Sequence, residues 1–171
     1  AQIMGRWYSN CEETITKEGG TVDKFIGDSV LAYWTEVEKT TLFAAMRTAE
    51  ALKTITEKIG REHLEILEKT KQKFQIGTAL HTGKVAYGGM SQGEFTLVGD
   101  PVNLAFRLEN LTRDLPYEVL MSGDFARALP SRQEFGVNLG VQKVKGRAQG
   151  VEIFGVTSFP AVRYGPVFST V

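Results

Sequence analysis

Residues 19–34 read Gly-Gly-Thr-Val-Asp-Lys-Phe-Ile-Gly-Asp-Ser-Val-Leu-Ala-Tyr-Trp. Gly19-Gly20 is a helix terminator, because glycine takes the left-handed conformation that closes a helix C-terminus. Thr21–Ile26 is a short run of β formers, Gly27-Asp28 is a turn pair, and Ser29–Trp34 alternates loosely, so a hairpin is predicted. Upstream, residues 2–17 read as the helix that Gly19-Gly20 ends. Downstream, Leu42, Ala45, Ala49, Leu52 and Ile55 recur at three- and four-residue spacing, which predicts an amphipathic helix over 40–59. Helix, hairpin, helix is the rhythm of an α+β domain.

The rest of the chain continues the rhythm. Residues 60–73 are charged and read as a helical extension running into a loop. Strands are predicted over 74–80, 85–87 and 94–98, with His81-Thr82-Gly83 as a turn. Asp100-Pro101 is a helix start, since proline is tolerated in the first turn, and this helix runs to about Thr112. A strand over 119–122, a short helix over 124–129 closed by Pro130, and strands over 133–139 and 151–156 complete the order. The expected fold is α+β, a ferredoxin-like βαββαβ core with a mainly antiparallel sheet and helices packed on it. A strand ahead of the first helix would complete that core. The chain opens in mid-pattern at Ala1-Gln2-Ile3-Met4, so residues 1–171 are expected to be one N-terminally truncated domain.

Composition narrows the function. The 171 residues suffice for one core. Lys+Arg and Asp+Glu both number 20, which argues against a nucleic-acid partner and leaves any phosphate site to a few local cations. The single cysteine, Cys11, cannot form an internal disulfide and suits a reducing, cytoplasmic compartment.

Four segments carry candidate chemistry. In the hairpin, Lys24 and Asp28 flank the turn; Asp28 reads either as a turn aspartate or as a carboxylate that holds a divalent cation beside a phosphate. On the helix after Pro101, Asn103 and Arg107 stand four apart and share a face, either a solvated face or a grip on a sugar oxygen and a phosphate. Lys84 follows a glycine turn and can reach a phosphate, whereas His81 and His63 have no partner at metal spacing. Val144-Lys145-Gly146-Arg147 is a late basic cluster. Neither G-x-x-x-x-G-K-[ST] nor G-x-G-x-x-G occurs, which removes P-loop and Rossmann readings, and no G-x-S-x-G suggests a hydrolase.

Lys24-Phe25-Ile26-Gly27-Asp28, the run from Gly99-Asp100-Pro101 through Asn103 and Arg107 to Glu109, the glycine turn at 83 and Lys145-Gly146, in that order, resemble the class III adenylyl and guanylyl cyclase catalytic domain over most of the chain. The resemblance implies conversion of ATP to cyclic AMP and pyrophosphate with two ions, Mg2+ or Mn2+, per site. It assigns Asp28 to metal, Lys24 and Thr96 to the purine, Asn103 to the ribose, Arg107 to the transition state, and Lys84 and Lys145 to the phosphate tail. It implies sites shared between two protomers of a homodimer or of a cyclase-domain heterodimer, with a sensory or regulatory domain upstream in the parent protein. The family's other metal aspartate belongs on the strand expected ahead of Ala1. The family's longer loop with an arginine is reduced here to Met90-Ser91-Gln92-Gly93. The alternatives are a degenerate cyclase-like module that binds nucleotide or dimerises to regulate an attached enzyme, and a diguanylate-cyclase-type transferase, whose Gly-Gly-Asp/Glu-Glu-Phe turn is not what Phe25–Ser29 reads.

Overall fold

The computed structural model describes residues 2–89 and 95–161. Helix α1 (Gln2–Lys17) buries Trp7, Cys11 and Ile15, one per turn, along a single stripe. That stripe packs on Leu52 and Ile59 of the long helix α2 (Lys39–Glu62). The Trp7 indole donates to Thr56 Oγ1 at 2.9 Å, so its only polar atom is satisfied inside the contact. Burial pushes the Cys11 thiol up to about 12, which makes it a packing residue.

The predicted hairpin forms as β1 (Thr21–Ile26) and β2 (Ser29–Tyr33), antiparallel across Gly27-Asp28, with Gly27 at φ +57. A short helix α3 (Leu64–Lys69) extends α2. The main sheet has four strands in the order β3-β6-β8-β7. Here β3 (Thr78–Leu80) runs parallel to β6 (Val119–Ser122), while β8 (Val151–Val156) is antiparallel to β6 and to β7 (Gly136–Gln142). A separate antiparallel pair joins β4 (Ala86–Gly89) to β5 (Phe95–Val98).

Alternation along the central strands divides the core in two. Leu80, Val119, Met121, Phe154 and Val156 face Leu42, Met46 and Ala49 of α2 and Phe125 of α5 (Gly123–Ala128). Leu120 and Ile153 face the other way, onto Leu104 and Leu108 of α4 (Asp100–Leu111). All four residues of β6 are buried, as expected for a strand covered on both faces. The domain is thus α+β, with helices on both sides of a mainly antiparallel sheet.

Two segments differ from expectation. Of residues 74–80 only the last three join a ladder; Phe74 and Ile76 pack instead into the α1–α2 cluster, where their apolar surface is covered without strand pairing. Of residues 133–139, the first part is a 3-10 turn at Arg132–Glu134, and the strand begins at Gly136 and runs on to Gln142. The short loop at 90–93 and the first residue predicted for β5, Glu94, lie outside the described residues. Among the described residues no helix is long and apolar enough to cross a membrane.

Candidate active site

Lys24 and Thr96 are 72 positions apart in the chain, and the fold brings them into direct contact: Lys24 Nζ donates to Thr96 Oγ1. A third residue completes this cluster, and sequence reading did not find it. Asp23 accepts the Thr96 hydroxyl at 2.8 Å on Oδ2 and the Leu97 backbone N–H at 3.2 Å on Oδ1. It also forms an ion pair with Lys24 at 3.3 Å. Its side chain is only 4% exposed, against 34% for Lys24, so the carboxylate lies beneath the lysine and the lysine faces outward. A buried carboxylate without partners is costly, and here several donors offset that cost. These contacts, rather than a strand ladder, fasten β1 to β5.

The second group gathers on α4. Asn103 is exposed and Arg107 half-buried on the same helix face. The loop after β7 comes back to this helix. Gly146 sits at φ +83 against the Arg107 guanidinium, where a Cβ would lie 3.0 Å from Arg107 Cζ. Any side chain at 146 would therefore meet both backbone strain and the arginine. One residue on, Arg147 donates to Asp100 at the start of α4 at 2.7 Å and holds that carboxyl below its usual range. This leaves Arg107 without a carboxylate within 4 Å among the described residues, so the ion pair that would have made it a plain surface residue does not form. Lys145 and Lys84 are both exposed; the Lys84 carbonyl lies beside Gly99, the residue before α4, and Lys145 precedes the Gly146 that meets Arg107.

Asp28 is exposed at the tip of the hairpin. Its charge helps to raise the pKa of the half-buried Glu109 carboxyl, after burial itself, while Arg113 opposes the shift. Among the described residues no group of three or more potential ligands gathers.

His81 proves structural. Its Nδ1 lies 2.6 Å from Ser122 Oγ, which also caps α5 by accepting the Phe125 N–H at 3.1 Å. Burial lowers the imidazole pKa; Asp124 and Asp100 oppose this and Arg147 reinforces it. The unfolded chain consequently binds this proton more readily than the folded one. The stability contribution is complete above the ordinary value of about 6.5 and declines as pH falls through it. Urea unfolding between pH 7.5 and 5.5 is expected to show a steeper loss of stability for the native protein than for His81→Gln, by up to about 1.4 kcal/mol per pH unit for one proton. Equal slopes would remove this role.

Comparison with known proteins follows the same lines. No family model matches the chain. It is 29% identical to adenylate cyclase 1 of Rhizobium meliloti (strain 1021) over 164 residues, 90% of this chain and 23% of that protein. It is 28% identical to an adenylate cyclase of Anabaena cylindrica over 150 residues, 84% of this chain and 29% of that protein. The structure of a bacterial light-regulated adenylyl cyclase superposes with a TM-score of 0.73 at 32% identity, covering 90% of this chain and 44% of that one. In sequence and in fold the chain is similar to the class III nucleotide cyclase catalytic domains. It spans roughly a quarter of the length of these curated relatives. A guanylyl cyclase, Cya2, also shares the fold, at a TM-score of 0.73 and 20% identity, so the fold alone does not choose the purine.

Proposed function

We propose that the domain converts ATP to 3′,5′-cyclic AMP and pyrophosphate at a site shared between two cyclase domains. The Lys24–Thr96 contact carries this reading. An ammonium donor suits the acceptor N1 of adenine, and a hydroxyl oxygen can accept from the exocyclic amine. Guanine presents the opposite polarity at both positions. The relatives named adenylate cyclases support the same substrate.

In this reading Asn103 orients the ribose so that its 3′ oxygen lies in line with the α-phosphorus. Arg107, without a carboxylate partner among the described residues and seated on Gly146, meets the negative charge that grows on the phosphoryl oxygens. Lys84 and Lys145, both exposed, meet the phosphate tail and the leaving pyrophosphate. Asp28 fits one of two Mg2+ or Mn2+ ions, because such ions are held by one or two carboxylates together with substrate phosphates. When bound, divalent ions supply the charge that eases ionisation of the 3′-hydroxyl and steadies the phosphate oxygens. A homodimer or a heterodimer with another cyclase domain supplies the two halves of the site, and a monomer is expected to be inactive.

The test is turnover of both triphosphates by the full-length protein with Mg2+ and with Mn2+. Cyclic AMP formation with a kcat/KM for ATP at least tenfold above that for GTP is expected. A GTP preference overturns the substrate. ATP binding without turnover in the assembled dimer favours a regulatory module instead.

A further inference from the structure

We propose that Asp23 is a positioning residue that sets the purine specificity of the domain, by taking the Thr96 hydroxyl proton and leaving Thr96 only an acceptor for the base. The proposal rests on the adenine-reading role given above to Lys24 and Thr96.

In a regular strand Asp23 and Lys24, being consecutive, would point to opposite faces. They do not, because β1 is bulged here: Val22 pairs with Ala32 and Lys24 with Leu31, so Asp23 is the extra residue with no partner on β2. A bulge re-aims side chains locally, and this one brings both residues onto Thr96. The Leu97 N–H holds Oδ1 at 3.2 Å, which leaves Oδ2 turned to the Thr96 hydroxyl at 2.8 Å.

The proton count then decides polarity. An ionised carboxylate only accepts, so the single Thr96 proton goes to Asp23. One Thr96 lone pair receives Lys24 Nζ, and the remaining one can only accept. Lys24 gives one N–H to Thr96 and keeps others for the base. The pair therefore offers a donor and an acceptor side by side, which matches N1 and the 6-amino group of adenine. A free threonine hydroxyl would turn its proton toward the O6 of guanine instead. The buried carboxylate removes that option.

Asp23→Asn tests this, because the shape is kept and the Leu97 N–H favours the amide oxygen on its own side. The amide NH2 then donates to Thr96 and releases the hydroxyl proton. The ratio of kcat/KM for ATP to that for GTP is expected to fall about tenfold, the worth of one hydrogen bond. In a Thr96→Val background the same change is expected to leave the ratio unmoved. A folded Asp23→Asn protein with the native ratio overturns the proposal, as does a shift of equal size in the Thr96→Val background. Should Asp23→Asn fail to fold, the native protein gives the answer through two analogues that keep an acceptor N1 and lack the amine. A locked acceptor makes 6-chloropurine riboside triphosphate compete with ATP several-fold more weakly than unsubstituted purine riboside triphosphate. Equal or tighter competition by the chloro compound overturns the proposal. A native protein with no preference for ATP sinks the adenine reading and this inference with it, whereas an ATP-selective protein whose ratio ignores Asp23 sinks the inference alone.

Discussion

Arg107→Ala is expected to lower kcat by about a hundredfold or more while leaving KM for ATP nearly unchanged. A group that strengthens its hold only as charge builds contributes to the transition state and not to ground-state binding, and its loss then appears in kcat. Preorganised donors of this kind contribute roughly 3–4 kcal/mol, which corresponds to a few hundredfold. The geometry favours such a role. No carboxylate among the described residues neutralises the guanidinium, and Gly146 gives it a seat without a side chain. Arg107→Lys should recover little, since an ammonium lacks the planar fork that can meet two phosphoryl oxygens. Steady-state kinetics on the assembled dimer check this. A variant whose KM rises with kcat intact would make Arg107 a ground-state binding residue.

The second large effect is expected from Lys24→Glu. On the proposed adenine-reading role of Lys24, the change replaces the donor for N1 by an acceptor, and it sets a second carboxylate beside Asp23, whose oxygen now lies 3.3 Å from the ammonium. Both consequences act against ATP. A site that opposes two acceptors rejects its substrate by far more than a lost methylene would, so kcat/KM for ATP should fall about a hundredfold to a thousandfold. Circular dichroism separates this loss from unfolding, because Lys24 is partly exposed and its removal leaves the apolar core intact. Retention of ATP turnover within a few-fold in the folded variant would mean that Lys24 does not read the base.

These two residues also mark how far the sequence could be read. Lys24 and Asp28 were legible because a double glycine, a β run and a Gly-Asp turn impose a hairpin by local backbone preference alone. Asn103 and Arg107 were legible because Asp100-Pro101 starts a helix and a spacing of four fixes a shared face. The lone Cys11 has no disulfide partner in the chain, and the fold buries it in the α1 stripe. Local pattern failed at 74–77. Phe74 and Ile76 alternate like a strand, yet their partners lie on α1 and α2, and apolar periodicity does not say which surface will cover it.

The placement of Lys24, Asp28, Asn103 and Arg107 was thus available from the chain itself, as was the α+β order, because both follow from short-range preference, whereas Thr96 entered only through the family resemblance. Asp23 was not available. Its part depends on one extra residue in β1, which turns it to the side that alternation assigns to its neighbour, and on β5 arriving more than 70 residues later with a hydroxyl and a free N–H. The seat of Arg107 on Gly146 is of the same kind, a contact between a helix and a distant loop. Local sequence determined which groups the domain could offer. Only tertiary packing decided which of them touch and which way the Thr96 proton points, because hydrogen-bond polarity is set by the partner and the partner is set by the fold.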